Sequence, residues 1–187
     1  MTFTVACYKD ELSLIKPIDT LEINWKDFNL LLDSLTPDIQ CDRKRDNPDT
    51  ILPEVYQYYT LESSTYNVYT QSCIQNKIPS NFVEKHGMDY HTSVIKVLEH
   101  YPGTFSYPHY DYYLSLKNKE KEQKIQRLWI PCTDSKFGHA FFVDIDVIYK
   151  YKAGDVFVVP DKKLHSGTNA GLEKRRILTI TGKLCQI

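Results

Sequence analysis

No Cys-x-x-Cys pair occurs in the 187 residues, and the five cysteines, Cys7, Cys41, Cys73, Cys132 and Cys185, are widely spaced and odd in number. That spacing excludes a zinc ribbon and argues against a disulfide framework. Reduced thiols in a cytoplasmic protein are the simpler reading. Net charge is missing too: 23 Lys plus Arg against 24 Asp plus Glu leave −1. No global field draws in a polyanion, so long nucleic acid is not indicated as a partner. No apolar run approaches the ~20 residues of a membrane helix. The first ten residues, MTFTVACYKD, lack the apolar length and the basic flank of a secretory signal. A cytoplasmic chain without a membrane span is expected. Internal repeats and low-complexity segments are absent as well.

What the chain has instead is aromatic and β-branched. Hydrophobic residues make up 42% and aromatics 13%, with 14 Tyr, a composition that leans a globular chain toward strands. The length suits one domain over 1–187. Thr2–Tyr8 alternates as a strand does, and Leu21, Trp25, Phe28, Leu31, Leu32 and Leu35 predict a helix with one buried face over Leu21–Leu35. Thr36–Pro53 reads as a polar loop in which Arg43-Lys44-Arg45 is a solvated turn. Leu61–Lys77 is assigned to helix on its length.

Past Pro79 the rhythm changes. His91–Tyr101, Thr104–Tyr113, Ile125–Pro131, Ala140–Tyr149, Asp155–Val159 and Arg175–Lys183 are short β-favouring runs split by Gly, Pro and charged turns. Lys117–Lys124 is a charged loop between two of them. The expected fold is mainly β with N-terminal helices: a double-stranded β-helix (jelly-roll) core over 91–184, with helices from 1–90 packed on one face.

Within Ser106–Tyr113, "SYPHYDYY", His109 and Asp111 stand two apart and on a strand project to the same side. A lone His-x-Asp is as readily a hydrogen-bonded pair as a metal site. His165 follows the run "VFVVP", and Arg175 heads "RRILTITG". Two imidazoles and one carboxylate on one face of an octahedral ion leave three adjacent positions open, as non-haem Fe(II) oxygenases require. A structural zinc ion would need a fourth protein ligand. A fixed guanidinium suits the far carboxylate of a 2-oxo acid, which it can bind bidentately without losing its charge.

Glu99–Tyr113 ("EHYPGTFSYPHYDYY"), "GHAFF", "YKAGDVFVV", "HSGTNAG" and "RRILTITG" together resemble the Fe(II)- and 2-oxoglutarate-dependent dioxygenases. The first segment is particularly similar to prolyl 4-hydroxylases, and the last three are similar to the small phage and bacterial members. The resemblance implies Fe(II) held by His109, Asp111 and His165, 2-oxoglutarate as co-substrate anchored by Arg175, and O2 as oxidant. It places Tyr101 near the tyrosine that bonds the same carboxylate, although the spacing here is Tyr-x-Gly where prolyl hydroxylases often have Tyr-x-x-Gly. The family's Gly-Gly-Glu-Thr segment is replaced by Phe137-Gly138-His139-Ala140-Phe141, which weakens transfer of proline as substrate. Arg175 and Arg176 must point to opposite faces. Counting back from Thr181-Gly182, as the resembling sequences run, selects Arg175 for the interior, with Thr179 and Thr181 beside it and Leu178 and Ile180 outward under the helices.

Arg127 and Trp129 share one face of "IQRLWIP"; if it is the inner face, Arg127 meets 2-oxoglutarate or an acidic substrate. His86, His91, His100 and His139 read as surface or packing residues, and His139 alone lies in a rim segment. Tyr107, Tyr110, Tyr112 and Tyr113 pack with their hydroxyls at the edge, and Cys132 is buried rather than nucleophilic. The implied activity is hydroxylation of a C–H bond coupled to decarboxylation of 2-oxoglutarate to succinate. The rivals are a metal-dependent cupin enzyme that does not use 2-oxoglutarate and a non-catalytic jelly-roll binding module. The substrate, whether a protein side chain, an amino acid or a small metabolite, and the oligomeric state are not legible in the sequence.

Overall fold

In the computed structural model, residues 15–41, 50–51, 66–106, 108–111, 124–159 and 163–185 are described. In chain order their elements are β1 (Asp19–Thr20), α1 (Trp25–Ser34), β2 (Ile39–Cys41), β3 (Thr50–Ile51), β4 (Tyr66–Tyr69), α2 (Ser72–Gln75), α3 (Ser80–Lys85), β5 (Val94–His100), β6 (Thr104–Phe105), β7 (Tyr110–Asp111), β8 (Ile125–Pro131), β9 (His139–Val143), β10 (Asp146–Ile148), β11 (Asp155–Val159), β12 (His165–Asn169) and β13 (Arg175–Lys183). Every strand pairing among the described residues is antiparallel. A larger sheet runs β1-β11-β8-β13-β5-β4-β2, a smaller one runs β10-β9-β12-β6, and β3 pairs with β7. The chain is thus mostly β with few helices, a double-stranded β-helix core as expected.

Period-two alternation on β8 and β13 divides the apolar residues into two cores. Leu128, Ile130, Leu178 and Ile180 face outward from the large sheet. There they meet Phe28 and Leu32 of α1, together with Ile74, Ile78, Phe82, Val83 and Met88 around α2 and α3. Trp129 and Ile177 face inward, where Phe141, Val143, Phe157 and Val159 complete the packing between the sheets. α1 starts where the Asn24 side chain accepts the Asp27 N–H (3.1 Å), an N-cap that satisfies one otherwise orphaned donor. Phe28 and Leu32, four apart, form its buried stripe.

Several local expectations differ. The predicted helix Leu21–Leu35 is shorter, and Leu21 is buried ahead of it, with its N–H donated to the Gly154 carbonyl (2.8 Å). The predicted helix Leu61–Lys77 is a strand at Tyr66–Tyr69 followed by one short turn of helix at Ser72–Gln75. Pairing of Tyr66 with His100 and Val68 with Leu98 gives these residues cross-strand partners that an isolated helix would lack. The predicted loop Thr36–Pro53 contains β2 and β3. Ala140–Tyr149 is a hairpin of two strands, β9 and β10. His165–Asn169, outside the β-favouring runs of the sequence, is a strand held between β9 and β6. Thr2–Tyr8, Arg43-Lys44-Arg45 and most of Lys117–Lys124 lie outside the described residues.

Candidate metal centre

His109 and His165 form a reciprocal backbone pair: each N–H donates to the other's carbonyl at 3.0 Å. Directly opposed residues of an antiparallel pair place their side chains on one face, and the two imidazole centroids lie 4.3 Å apart. Asp111, two positions beyond His109, projects to the same side. Asp111 Oδ1 is 3.7 Å from His109 Nε2, and its Oδ2 is 3.2 Å from His165 Nε2. One ligand atom from each of the three lies within 4.8 Å of the others, and all three residues are buried.

The donor chemistry fits a divalent cation. His165 Nδ1 is 2.9 Å from the Lys163 carbonyl. A carbonyl only accepts, so Nδ1 carries the proton and Nε2 turns its lone pair toward Asp111. Burial pushes the Asp111 carboxyl upward, but the Arg127 guanidinium paired with it outweighs this and holds the group far below the usual carboxylate range. Two imidazoles and an ionised carboxylate, with no fourth ligand beside them among the described residues, leave part of the coordination sphere open.

His109 and His165 open into a cavity between the sheets, about 40 Å³ in volume, whose other lining includes Tyr66, His100, Arg127, Trp129, Arg175 and Thr179. That is room for a few waters, so an organic ligand requires lining side chains to move. A larger groove outside the barrel, between Pro17–Glu22 and α3, is far from this chemistry and contains none of the triad.

Arg175 reaches into the cavity and is 1% exposed, with its guanidinium 5.4 Å from the Trp129 ring. Its Nη1 is 3.5 Å from His100 Nδ1, whereas Nε and Nη2 have no hydrogen-bond partner among the described residues. Burial pushes its pKa down; the Tyr151 hydroxyl beside it offsets part of this without reaching hydrogen-bond geometry. A buried cation with idle donors is costly, and an anionic ligand would satisfy it. Gly167 makes the close approach possible, since a Cβ there would stand 2.8 Å from Arg175 Nη1.

The other named residues separate. Thr179 lines the cavity and donates to the Lys96 carbonyl (3.3 Å). Arg127 also lines it, pairing with Asp111 through Nη1 and donating from Nε to Thr181 Oγ1 (3.2 Å). Arg176 points the other way, to Glu99 and Asp33.

Tyr101 does not line the cavity. It is 39% exposed, its hydroxyl accepts from Asn67 Nδ2 (3.0 Å), and Lys174 lies over its ring. Tyr101 follows His100, and alternation turns it outward. His100 takes the inward place, stacked on Tyr66 with centroids 5.2 Å apart. Sequence reasoning passed over His100, yet the signal was present: His100-x-x-Gly103 keeps the spacing of Tyr-x-x-Gly with His in tyrosine's place. His139 is buried rather than at a rim, donating Nε2 to the Glu173 carbonyl (3.2 Å), and burial lowers its pKa. Cys132 is fully buried, and burial pushes its thiol up to about 12. Tyr107, Tyr112 and Tyr113 lie outside the described residues.

No family model and no curated protein matches the chain. Solved structures do. A predicted oxalate decarboxylase from Thermotoga maritima is 14% identical, over 65% of this chain and 83% of its own, with a TM-score of 0.39. A cupin-2 domain from Rhodospirillum rubrum is 14% identical over 79% and 77%, with a TM-score of 0.37. A protein with a double-stranded β-helix domain from Klebsiella pneumoniae is 18% identical over 49% and 63%, with a TM-score of 0.35. None of these three is named as a 2-oxoglutarate dioxygenase. Likeness at this level assigns no activity to the chain. No helix among the described residues is long and apolar enough to cross a membrane.

Proposed function

We propose that the chain is a metal-dependent enzyme in which His109, Asp111 and His165 hold one divalent ion and Arg175 seats the carboxylate of a small ligand in the same cavity. The reading that uses all four residues is a non-haem Fe(II)- and 2-oxoglutarate-dependent hydroxylase. The observation that supports it is Arg175, buried in the cavity lined by His109 and His165 with Nε and Nη2 lacking partners among the described residues.

When bound, Fe(II) and 2-oxoglutarate would supply the oxidation itself, coupling loss of CO2 and formation of succinate to hydroxylation of a C–H bond by O2. The protein's share is geometry. Reciprocal pairing of His109 and His165 sets the two imidazoles side by side on one face, and the Lys163 carbonyl keeps the proton of His165 on Nδ1. Arg175 and His100 orient the distal carboxylate from the deep end, while Trp129 and Phe141 keep water from it. Arg127, already on Asp111, stands where an acidic group of an incoming substrate would meet it. The substrate itself, a protein side chain, an amino acid or a small metabolite, enters over these residues.

A second reading is favoured by the cavity's small volume of about 40 Å³: a metal-dependent cupin enzyme whose own small carboxylate substrate sits on Arg175, without 2-oxoglutarate. Anaerobic addition of Fe(II) and 2-oxoglutarate separates the two. The first reading requires a weak visible charge-transfer band and, in air with a substrate panel, succinate formation that Asp111→Ala abolishes. Iron binding without the band leaves the second reading, and absence of iron binding overturns both.

A further inference from the structure

Asp144 is the one non-glycine residue with positive φ (51°) among the described residues. Aspartate enters this left-handed region more readily than most side chains, yet still at a cost. It lies in the turn joining β9 to β10, where Val143 pairs with Asp146. The turn leans on the residues that lead into β12. Asp144 N–H donates to the Leu164 carbonyl (2.7 Å), Leu164 N–H donates to Asp144 Oδ1 (3.2 Å), and Lys163 Nζ donates to Asp144 Oδ2 (2.6 Å).

The bond from Leu164 N–H holds the Lys163–Leu164 peptide and the bond to the Leu164 carbonyl holds the next one, and the Lys163 carbonyl is the group that accepts from His165 Nδ1 at 2.9 Å. The side chains of Lys163 and Asp144 are 51% and 37% exposed, and so solvated an ion pair does little for stability. A left-handed turn kept by an unhelpful surface pair needs another reason, and local strain of this kind gathers at functional sites.

We propose that Asp144 is a positioning residue for the metal ligand His165. It fixes the Lys163 carbonyl, which in turn fixes the ring angle of His165 and leaves the lone pair on Nε2. This rests on the metal-site reading above. Partners one shell out from a metal change its affinity by about 10–100-fold, and Asp144 acts through one such partner.

The test is anaerobic titration of the full chain with Co(II), followed by visible absorption, in wild type, Asp144→Asn, Asp144→Ala and Asp144→Gly. Glycine removes both the carboxylate and the left-handed strain. The metal-free glycine variant is therefore expected to melt no lower than wild type while its Co(II) Kd rises about tenfold and its ligand-field spectrum shifts. Asparagine keeps an acceptor for Leu164 N–H and tolerates the turn, so it is expected to stay close to wild type. Wild-type Kd and spectrum in the glycine and alanine variants overturn the proposal while leaving the metal site intact. So do Kd losses in both that only track a drop in the melting temperature of the metal-free chain. If wild type takes up no Co(II), the metal reading itself fails and carries this proposal with it.

Discussion

Arg175 and Arg176 are adjacent on β13 and leave the sheet through opposite faces. Arg175 ends inside the barrel, beneath Gly167 and beside His100, with two donors idle. Arg176 ends under α1, where Nε meets Glu99 (2.7 Å), Nη2 pairs with Asp33 and Nη1 reaches the Asn29 carbonyl (3.2 Å). One arginine keeps unmet donors inside the barrel, and its neighbour clips the helix to the sheet.

Substitution should divide the two roles. Arg175→Met removes a buried cation that the protein does not satisfy, so urea unfolding of the ligand-free chain is expected to show unchanged or raised stability. Binding of 2-oxoglutarate to the metal-loaded protein, followed by Trp fluorescence, is expected to be lost. Arg176→Met leaves the fully buried Glu99 carboxylate without its main partner and should cost ~3–5 kcal/mol, with little change in ligand affinity. The reverse ranking contradicts the assignment.

Glu99 also predicts the response to acid. Burial alone pushes its carboxyl upward, but the Arg176 hydrogen bond and charge, with Asn67, bring it below the ordinary value. A carboxyl depressed in the folded state stabilises fully above its unfolded pKa of about 4.3, and that contribution fades as pH falls through the folded value. Urea midpoints of wild type are therefore expected to decline below about pH 4. Glu99→Gln should start lower at neutral pH and decline less steeply. Parallel acid limbs in the two proteins rule out Glu99 as a source of the decline.

The thiols should react in order of access. Cys185 is exposed, Cys73 partly so, and Cys132 is buried, with burial raising the Cys132 pKa to about 12. A thiol-specific disulfide reagent is expected to modify Cys185 readily and Cys132 only after unfolding, because the thiolate is the reactive form. Fast labelling of Cys132 in the native chain contradicts the packing described for it.

Much of this architecture was legible because alternation survives where a strand is covered on both faces. Ile125–Pro131, Asp155–Val159 and Arg175–Lys183 occupy the spans read from their β-branched runs, and Leu178 and Ile180 lie under the helices while Thr179 lines the cavity. The co-location of His109, Asp111 and His165 followed from one strand period and the order of motifs. His165–Asn169 was not legible as a strand, because Gly and Asn carry turn chemistry. Pairing on both edges overrides that propensity, and Gly167 is there to admit Arg175.

Tyr66–Tyr69 was likewise hidden. Its Tyr, Asn and Val residues carry no strong alternation, and all four are buried, so tertiary pairing rather than local pattern decides their state. The exchange of Tyr101 for His100 is one residue of register, and on a strand one residue is the difference between cavity and solvent. Arg127's contact with Asp111 depends on the match of β8 to β13 at Thr181, which no local pattern encodes.

Anomalous diffraction from crystals of the full chain grown anaerobically with Mn(II) tests the metal centre most directly. A single strong peak within bonding reach of His109 Nε2, His165 Nε2 and an Asp111 carboxylate oxygen, lost in Asp111→Ala, is the predicted result. A peak elsewhere, or none at the triad under saturating Mn(II), contradicts it.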